Sequence, residues 1–265
     1  PSPPTQTAAV VPAVAWPEHL QQWLPADGLL LGEQHDAPDH QRLQREAVAW
    51  LASRGQLAAL VMEMAERGRS TQGLPRDASE AQAQAALQWD DAAWPWKAYG
   101  PVVMAAVVAG VPVLGGNLPR TRMRAAMADA SLDQHLPAPA LAEQQQAMRD
   151  GHCGLLPESQ IAPMARIQIA RDASMAQTAQ EALRSGQTVL LVAGNGHVLR
   201  HLGVPTHWPA SLVSKVVVAQ VEHAPAAIKS GAQADAVVQT PALPPRDVCA
   251  ELREQWRPAP PGQKG

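Results

Sequence analysis

The chain has 265 residues, of which 46% are hydrophobic and 17% are charged, and its formal net charge is −3. These values are typical of a folded globular protein with room for one large α/β domain. The weak negative charge and the lack of a local Lys/Arg cluster argue against a nucleic-acid partner. The longest apolar stretch, 102–116, contains Gly110 and Pro112 and is too short to cross a bilayer.

Along the chain, short apolar runs alternate with segments of helical periodicity. The predicted strands are 28–32, 57–64, 111–117, 188–193, 215–221 and 236–240. The predicted helices are 17–23, 39–54, 78–87, 99–109, 120–130, 141–148, 161–185 and 197–202. This alternation predicts an α/β fold with a mainly parallel central sheet covered by helices, as a single domain with an inserted helical segment.

Domain boundaries follow from composition. Residues 1–16 are rich in proline and are predicted to form a flexible N-terminal tether. The α/β domain is predicted to span 17–256, and the Pro/Gly-rich tail 257–265 is predicted to be disordered.

Two of the predicted strands end in the same Gly-x-x-His pattern. The first strand breaks at Gly32 and is followed by His35, and the fourth breaks at Gly194 and is followed by His197. Glycine lets the backbone turn sharply and lets a ligand approach closely. Because ligands collect outside the carboxyl ends of parallel strands, we expect the two histidines to meet over one site.

Two glutamates accompany these histidines: Glu33 lies inside the first Gly-x-x-His motif, and Glu63 closes the second strand. Carboxylate and imidazole groups suit a divalent metal such as Zn, Mn or Fe. A metal with an open position activates water, and a glutamate can then act as the base. The sequence therefore allows a metal-dependent hydrolase built on Glu33, His35, Glu63 and His197.

Other polar residues near the strand ends receive plainer interpretations. Asn117 and Arg120, after the third strand, are interpreted as strand-end residues that emerge into water. His40 is assigned to the start of a helix, and His201 to the solvated surface.

Aromatic residues are few and clustered. The chain has no Phe, one Tyr and eight Trp. Tyr99 lies just after Trp89, Trp94 and Trp96. A tyrosine phenolate can ligate haem iron, and tryptophans offer flat apolar surface beside a porphyrin. The alternative, that all four are core residues, stays open at this stage.

The two cysteines, Cys153 and Cys249, form one potential pair. Neither belongs to a C-x-x-C motif, so a zinc site built on cysteine is not predicted. The count alone does not decide whether they form a disulfide.

Six motifs occur together in one order along the chain. They are Leu30–Asp36 with His40-Gln41, Trp94-x-Trp96-x-x-Tyr99-x-Pro101, Gly116–Arg120, Gly151–Gly154, Gln168-x-x-Arg171-Asp172-x-x-Met175-Ala176, and Ala193–His197 with Gly203-Val204-Pro205. From about residue 29 to 249, this pattern resembles the ChaN-like haem-binding lipoproteins, one branch of the Tiki/TraB superfamily.

The resemblance implies a haem-binding protein of bacterial iron and haem uptake. It implies a homodimer that binds ferric haem at its interface, with Tyr99 as the iron ligand. The residues expected to contact the haem are Tyr99, His35, His197, His152 and Trp96.

The same resemblance implies a location and partners. The expected location is the bacterial cell envelope, as a periplasmic or outer-membrane lipoprotein whose lipid anchor lies outside this chain. A haem-uptake receptor or transporter is the expected partner. The superfamily also contains proposed metal-dependent hydrolases, and Glu33, His35, Glu63 and His197 match their motif positions.

Overall fold

A seven-stranded sheet forms the centre of the molecule in the computed structural model, which describes residues 7–256. The strands are β1 (Ala9–Pro12), β2 (Gly28–Glu33), β3 (Leu57–Glu66), β4 (Val113–Asn117), β5 (Thr188–Gly194), β6 (Ser214–Val221) and β7 (Ala236–Thr240). Their order in the sheet is β1-β7-β6-β2-β5-β3-β4. Every neighbouring pair is parallel. The predicted fold class is therefore confirmed.

Helices connect the strands. They are α1 (Pro38–Ser53), α2 (Glu80–Leu87), α3 (Trp96–Val108), α4 (Arg120–Ala128), α5 (Ala138–Gly151), α6 (Ile161–Glu181), α7 (Asn195–Val198) and α8 (Val248–Gln255). Short 3-10 helices span Trp16–Trp23, Ala130–Gln134, Glu158–Gln160 and Val204–His207. The segment between β4 and β5 contains α4, α5 and α6, which is the inserted helical segment.

Side-chain alternation along the buried strands produces two hydrophobic cores. In β2, Leu29 and Leu31 pack with residues of α1, α2 and α3 on one face of the sheet. Leu30 packs with residues of α5 and α6 on the opposite face. Because successive strand residues point to opposite faces, polar residues near the strand ends are also divided between the two faces.

The N-terminal prediction is wrong for part of its range. Residues 9–12, predicted as part of a flexible tether, form β1, which pairs in parallel with β7. Val11 is buried in this pairing, and proline is tolerated because β1 is an edge strand. Residues 1–6 and the predicted tail, 257–265, lie outside the described residues.

The helix that carries Tyr99 also starts earlier than predicted. Helix α3 begins at Trp96 rather than Tyr99, and Pro101 lies inside the helix instead of in its first turn. Tyr99 consequently lies one turn into the helix and points into the core. Its side chain is 1% exposed.

Candidate functional site

The strand order explains why the two Gly-x-x-His motifs meet. Strand β5 lies between β2 and β3, and β4 follows β3 at the edge. All four strands run in the same direction, so their carboxyl ends share one edge of the sheet. This edge is where ligands bind in parallel α/β sheets.

The two motifs also pack directly against each other. A Cβ atom on Gly32 would lie 2.4 Å from Asn195 Oδ1 and 2.6 Å from Val198 Cγ2. A Cβ atom on Gly194 would lie 3.1 Å from both Cε1 and Nε2 of His35. Each glycine therefore makes room for side chains of the other motif, which accounts for glycine at both positions.

Glu33 is the centre of a buried polar group on the α1/α3 face, here called the Glu33 cluster. His35 Nδ1 and the Tyr99 hydroxyl donate to Glu33 Oε1 at 2.7 and 2.5 Å. The Nε2 atoms of Gln41 and Gln44, both in α1, donate to Glu33 Oε2 at 2.7 and 2.6 Å. A carboxylate has about four lone-pair sites, so this one is fully hydrogen-bonded.

Tyr99, the predicted iron ligand, is enclosed in this cluster. Its ring lies 6.0 Å from that of Trp94 and 6.1 Å from that of Trp89. Burial and the neighbouring Glu33 carboxylate raise the pKa of Tyr99 well above its usual value, which disfavours the phenolate. In this conformation the phenol oxygen is engaged with Glu33 and is not open to a ligand.

A second group, the Glu63 cluster, occupies the opposite face of the sheet. Glu63 Oε2 accepts a hydrogen bond from the Gly194 backbone N–H at 2.7 Å, and Glu63 Oε1 lies 3.4 Å from His197 Nε2. His197 Nδ1 donates to Asp172 Oδ1, in α6, at 2.6 Å. The His197 ring is thus held between two buried carboxylates.

The pKa values of the Glu63 cluster follow from this geometry. Burial alone would raise the pKa of Glu63, but the charge of His197 and the Gly194 N–H lower it to about 2. Burial alone would lower the pKa of His197, but Glu63 and Asp172 raise it to about 10. Burial outweighs His197 at Asp172 and raises the pKa of that carboxyl to about 6. His197 is therefore a buried cation at neutral pH.

His35 connects the two clusters and reaches solvent. Its Nδ1 is bonded to Glu33, its Nε2 lies 4.0 Å from Glu63 Oε1, and 44% of the side chain is exposed. The edge of its ring packs against Trp94, with the ring centroids 4.8 Å apart. Burial opposes protonation, but the hydrogen bond to Glu33 and the charge of Glu63 raise the pKa of His35 above its usual value. The predicted convergence of His35 and His197 is confirmed, because both approach Glu63.

A cleft of about 360 Å³ opens beside these clusters, at the carboxyl ends of β3 and β4, and is here called the cleft. Its apolar wall includes Leu87, Trp94, Leu118 and Met123. Its polar lining comprises Glu63, Glu66, Arg69, Gln88, Asp90, Asn117, Arg120 and Arg171. The volume is within the range of small-molecule sites.

Asn117, interpreted as a strand-end residue in water, is partly buried in this cleft, so that interpretation is wrong for Asn117. Arg120 also lines the cleft, but 71% of its side chain is exposed, as its interpretation predicts. The Asn117 amide donates to the Glu63 carbonyl at 2.9 Å, and Arg120 pairs with Asp90 at 2.7 Å. Strand β4 pairs with β3 as far as Asn117, which places the Asn117 amide beside the backbone of β3.

Two other predicted contacts lie apart from both clusters. His152 follows α5, its Nδ1 donates to the Met148 carbonyl, and its ring lies 6.5 Å from that of Trp256. Trp96 packs against Gly100 and donates from Nε1 to Glu80. In the described part of the chain, the cleft wall contains Trp94 and not Trp96.

The plainer assignment of His40 to a helix start agrees with the structure, whereas His201, assigned to the solvated surface, is 30% exposed and has a buried Nδ1 atom. His40 is buried at the start of α1, where its Nδ1 accepts from the Gln34 N–H and its Nε2 contacts the Thr240 hydroxyl. His201 is partly exposed and pairs with Glu143 at 2.8 Å.

Sequence reasoning gave no role in the site to Asp172, Gln41 or Gln44, although Asp172 and Gln41 stand in the family-like motifs. All three are buried polar residues on helix faces that pack against the sheet. A polar residue on an otherwise apolar helix face was the available signal. For Gln44, the signal was its place on the same face of α1 as Leu43, Ala47 and Leu51, which are apolar and recur at helical spacing.

The arrangement does not favour the divalent-metal prediction. Within residues 7–256, no group of three or more His, Cys, Asp or Glu side chains is placed to hold a metal ion. The reason lies in the hydrogen bonds: Glu33 has four donors, and both nitrogens of His197 face carboxylates. The side-chain atoms that could coordinate a metal are already paired with one another.

The fold and the site together define an α/β protein with a ligand cleft at the carboxyl edge of a parallel sheet. A family model described as haem-binding uptake, Tiki superfamily, ChaN matches residues 19–207. This is more than half of the chain, and the chain belongs to that family. No curated protein sequence matches the chain.

Three solved structures resemble the chain to different degrees, and the one with a TM-score above 0.5 shows the same fold. A structure described as cofacial heme binding to ChaN of Campylobacter jejuni aligns with a TM-score of 0.65 and 22% identity, covering 86% of this chain and 94% of that one. The type III effector HopBA1 aligns with a TM-score of 0.44 and 12% identity, covering 82% and 88% of the two chains. A Bacillus cereus protein aligns with a TM-score of 0.37 and 13% identity, covering 82% and 72%.

Among the described helices, none has the length and apolar character that a bilayer span requires.

Proposed function

We propose that this protein binds ferric haem as cargo in bacterial haem uptake. Membership in the haem-binding uptake family carries the proposal. The cleft supports it, since a wall containing Trp94, Leu87 and Met123 suits a flat apolar ring. His35, half-exposed against Trp94, is the imidazole that the structure presents to solvent beside this wall.

Tyr99 is the proposed iron ligand. A phenolate oxygen stabilises ferric iron, which suits capture and release. In the described conformation this phenol is buried and bonded to Glu33, so ligation requires that hydrogen bond to be given up. His35 is the competing ligand, because 44% of its side chain is exposed without such a change.

The proposal includes a homodimer and a location in the cell envelope. The related Campylobacter jejuni structure concerns cofacial haem binding, which places two haems face to face, and a dimer is the arrangement proposed for this chain. The disulfide between Cys153 and Cys249 fits an oxidising compartment outside the cytoplasm. A haem-uptake receptor or transporter is the proposed partner, and a lipid anchor is the proposed attachment to the membrane.

A hemin titration followed by absorption spectroscopy tests the proposal. Wild type should give a saturable spectral change, and Tyr99→Phe should alter the bound spectrum and weaken binding. His35→Gln should weaken binding without replacing the phenolate signature. His201→Gln, a histidine paired with Glu143 outside both clusters, is the matched control.

The outcomes separate the parts of the proposal. Absence of saturable binding by wild type rejects haem as the cargo. An unchanged spectrum in Tyr99→Phe, with a changed spectrum in His35→Gln, transfers the ligand role to His35. Size-exclusion chromatography with light scattering, with and without hemin, tests the dimer, and a monomer in both states rejects it.

A further inference from the structure

The cleft contains three acidic and three basic side chains, and its acidic groups are already engaged. Glu63 bonds to Gly194 and faces His197. Glu66 accepts the backbone N–H of Arg120 at 3.1 Å. Asp90 pairs with the guanidinium of Arg120. Each carboxylate therefore has a partner inside the protein.

Two basic residues of the cleft differ from these paired carboxylates. Arg171, in α6, has an Nε atom that is buried and has no hydrogen-bond partner within the described residues. Arg69, between β3 and β4, lines the same cleft and is partly buried. A buried charged donor without a partner is destabilising. A ligand anion bound in the cleft would supply the partner that Arg171 lacks among the described residues.

We propose that Arg171, assisted by Arg69, binds a carboxylate of the ligand in the cleft. This inference rests on the proposed function, since a haem propionate is the carboxylate in question. A planar guanidinium matches a carboxylate with two parallel hydrogen bonds. The apolar wall at Trp94 and Met123 lies in the same cleft and contacts the ring of the same ligand.

The position of Arg171 couples this subsite to the Glu63 cluster. Arg171 precedes Asp172 in α6, and Asp172 holds His197 at 2.6 Å. The carboxylate subsite and the His197 cation are thus fixed by adjacent residues of one helix. Arg120 is less suited to the role, because its side chain is 71% exposed and already paired with Asp90.

The experiment compares hemin with hemin dimethyl ester, in which both carboxylates are blocked. Binding is followed by quenching of tryptophan fluorescence and by absorption, for wild type, Arg171→Gln, Arg171→Lys and Arg69→Gln. Arg124→Gln is the matched control, because Arg124 is an exposed arginine of α4 outside the cleft lining. Urea unfolding of each variant verifies that it is folded.

Wild type should bind hemin about 10- to 100-fold more tightly than the ester, the range expected for a charge-assisted hydrogen bond. Arg171→Gln should bind hemin as weakly as the ester, and Arg171→Lys should recover part of the difference. Arg69→Gln should reduce the preference less than Arg171→Gln, and Arg124→Gln should leave it unchanged.

Equal binding of hemin and its ester by wild type overturns the carboxylate subsite and leaves haem binding in place. Retention of the full preference by Arg171→Gln overturns the role of Arg171. Failure of wild type to bind either compound overturns the proposed function, and the subsite with it.

Discussion

The hydroxyl of Tyr99 donates a 2.5 Å hydrogen bond to the buried carboxylate of Glu33. This bond joins α3 to the end of β2 and thereby fixes the one tyrosine of the chain beneath Trp94. The interaction therefore has a structural consequence that is independent of any ligand.

Removal of this hydroxyl should destabilise the free protein. Tyr99→Phe removes one donor from a buried carboxylate, so we expect the free energy of unfolding to fall by about 1.5–3 kcal/mol. Urea denaturation without hemin measures the change. Glu33 keeps Gln41, Gln44 and His35 as donors, which should keep the variant folded.

A double-mutant cycle with Glu33→Gln assigns this loss to the pair. A coupling energy of at least about 1 kcal/mol is expected for groups in direct contact. Additive effects of the two substitutions would show that Tyr99 contributes through packing alone.

The His197 cation should give stability a characteristic pH dependence. Its pKa is raised from 6.5 to about 10, so its contribution is fully present below pH 6.5 and is lost as the pH rises toward 10. Glu63, with its pKa lowered from 4.5 to about 2, contributes above pH 4.5 and loses that contribution as the pH falls toward 2. Asp172 partly opposes Glu63, because its pKa is raised, so the alkaline side is the more informative one.

His197→Gln should remove the alkaline loss of stability and should cost about 3–5 kcal/mol at neutral pH, because it leaves two buried carboxylates without their cation. Urea denaturation between neutral pH and about pH 10 measures both effects. His201→Gln should keep the alkaline loss of stability. An identical pH profile for wild type and His197→Gln is the result that excludes a buried imidazolium.

The sequence predicted the edge of the sheet at which the site lies, because apolar runs that end in glycine identify strand ends. It did not predict which strands are neighbours. The position of β5 between β2 and β3 is what brings Glu63 to both histidines, and no local pattern specifies that order. The same limit applies to Asp172, which meets His197 only through the packing of α6 on the sheet.

The exposure of Tyr99 was also beyond local reasoning. A lone tyrosine near tryptophans and a proline was compatible with a loop-to-helix junction or with a core position. The structure shows a helix that begins at Trp96, which turns Tyr99 inward to Glu33. Residues 9–12 show another limit of local reasoning. Their proline-rich surroundings predicted a flexible tether, but these residues form a strand by pairing with β7.

The packing between the two Gly-x-x-His motifs should make Gly32 sensitive to substitution. A Cβ atom there would meet Asn195 and Val198 well inside contact distance, so Gly32→Ala should cost about 1–3 kcal/mol through overpacking. Gly196→Ala is the matched control, since a Cβ atom on Gly196 meets nothing within 4 Å and the residue lies in α7. That control should be neutral or stabilising by up to about 1 kcal/mol. Thermal and urea denaturation measure both, and equal effects of the two substitutions would contradict the packing argument.

The disulfide between Cys153 and Cys249 should contribute to stability by joining the end of α5 to α8 across 96 residues of sequence. Within the same C-terminal segment, Arg246 lies 3.7 Å from Asp36, the neighbour of His35. A crosslink that closes a loop of this size restricts the unfolded chain, and we expect its loss to cost about 2–4 kcal/mol. Reduction of wild type should therefore lower Tm to that of the Cys153→Ser/Cys249→Ser double variant. The double variant should not respond to reductant, and an unchanged Tm after complete reduction of wild type, verified by thiol titration, would show that the bond adds nothing to stability.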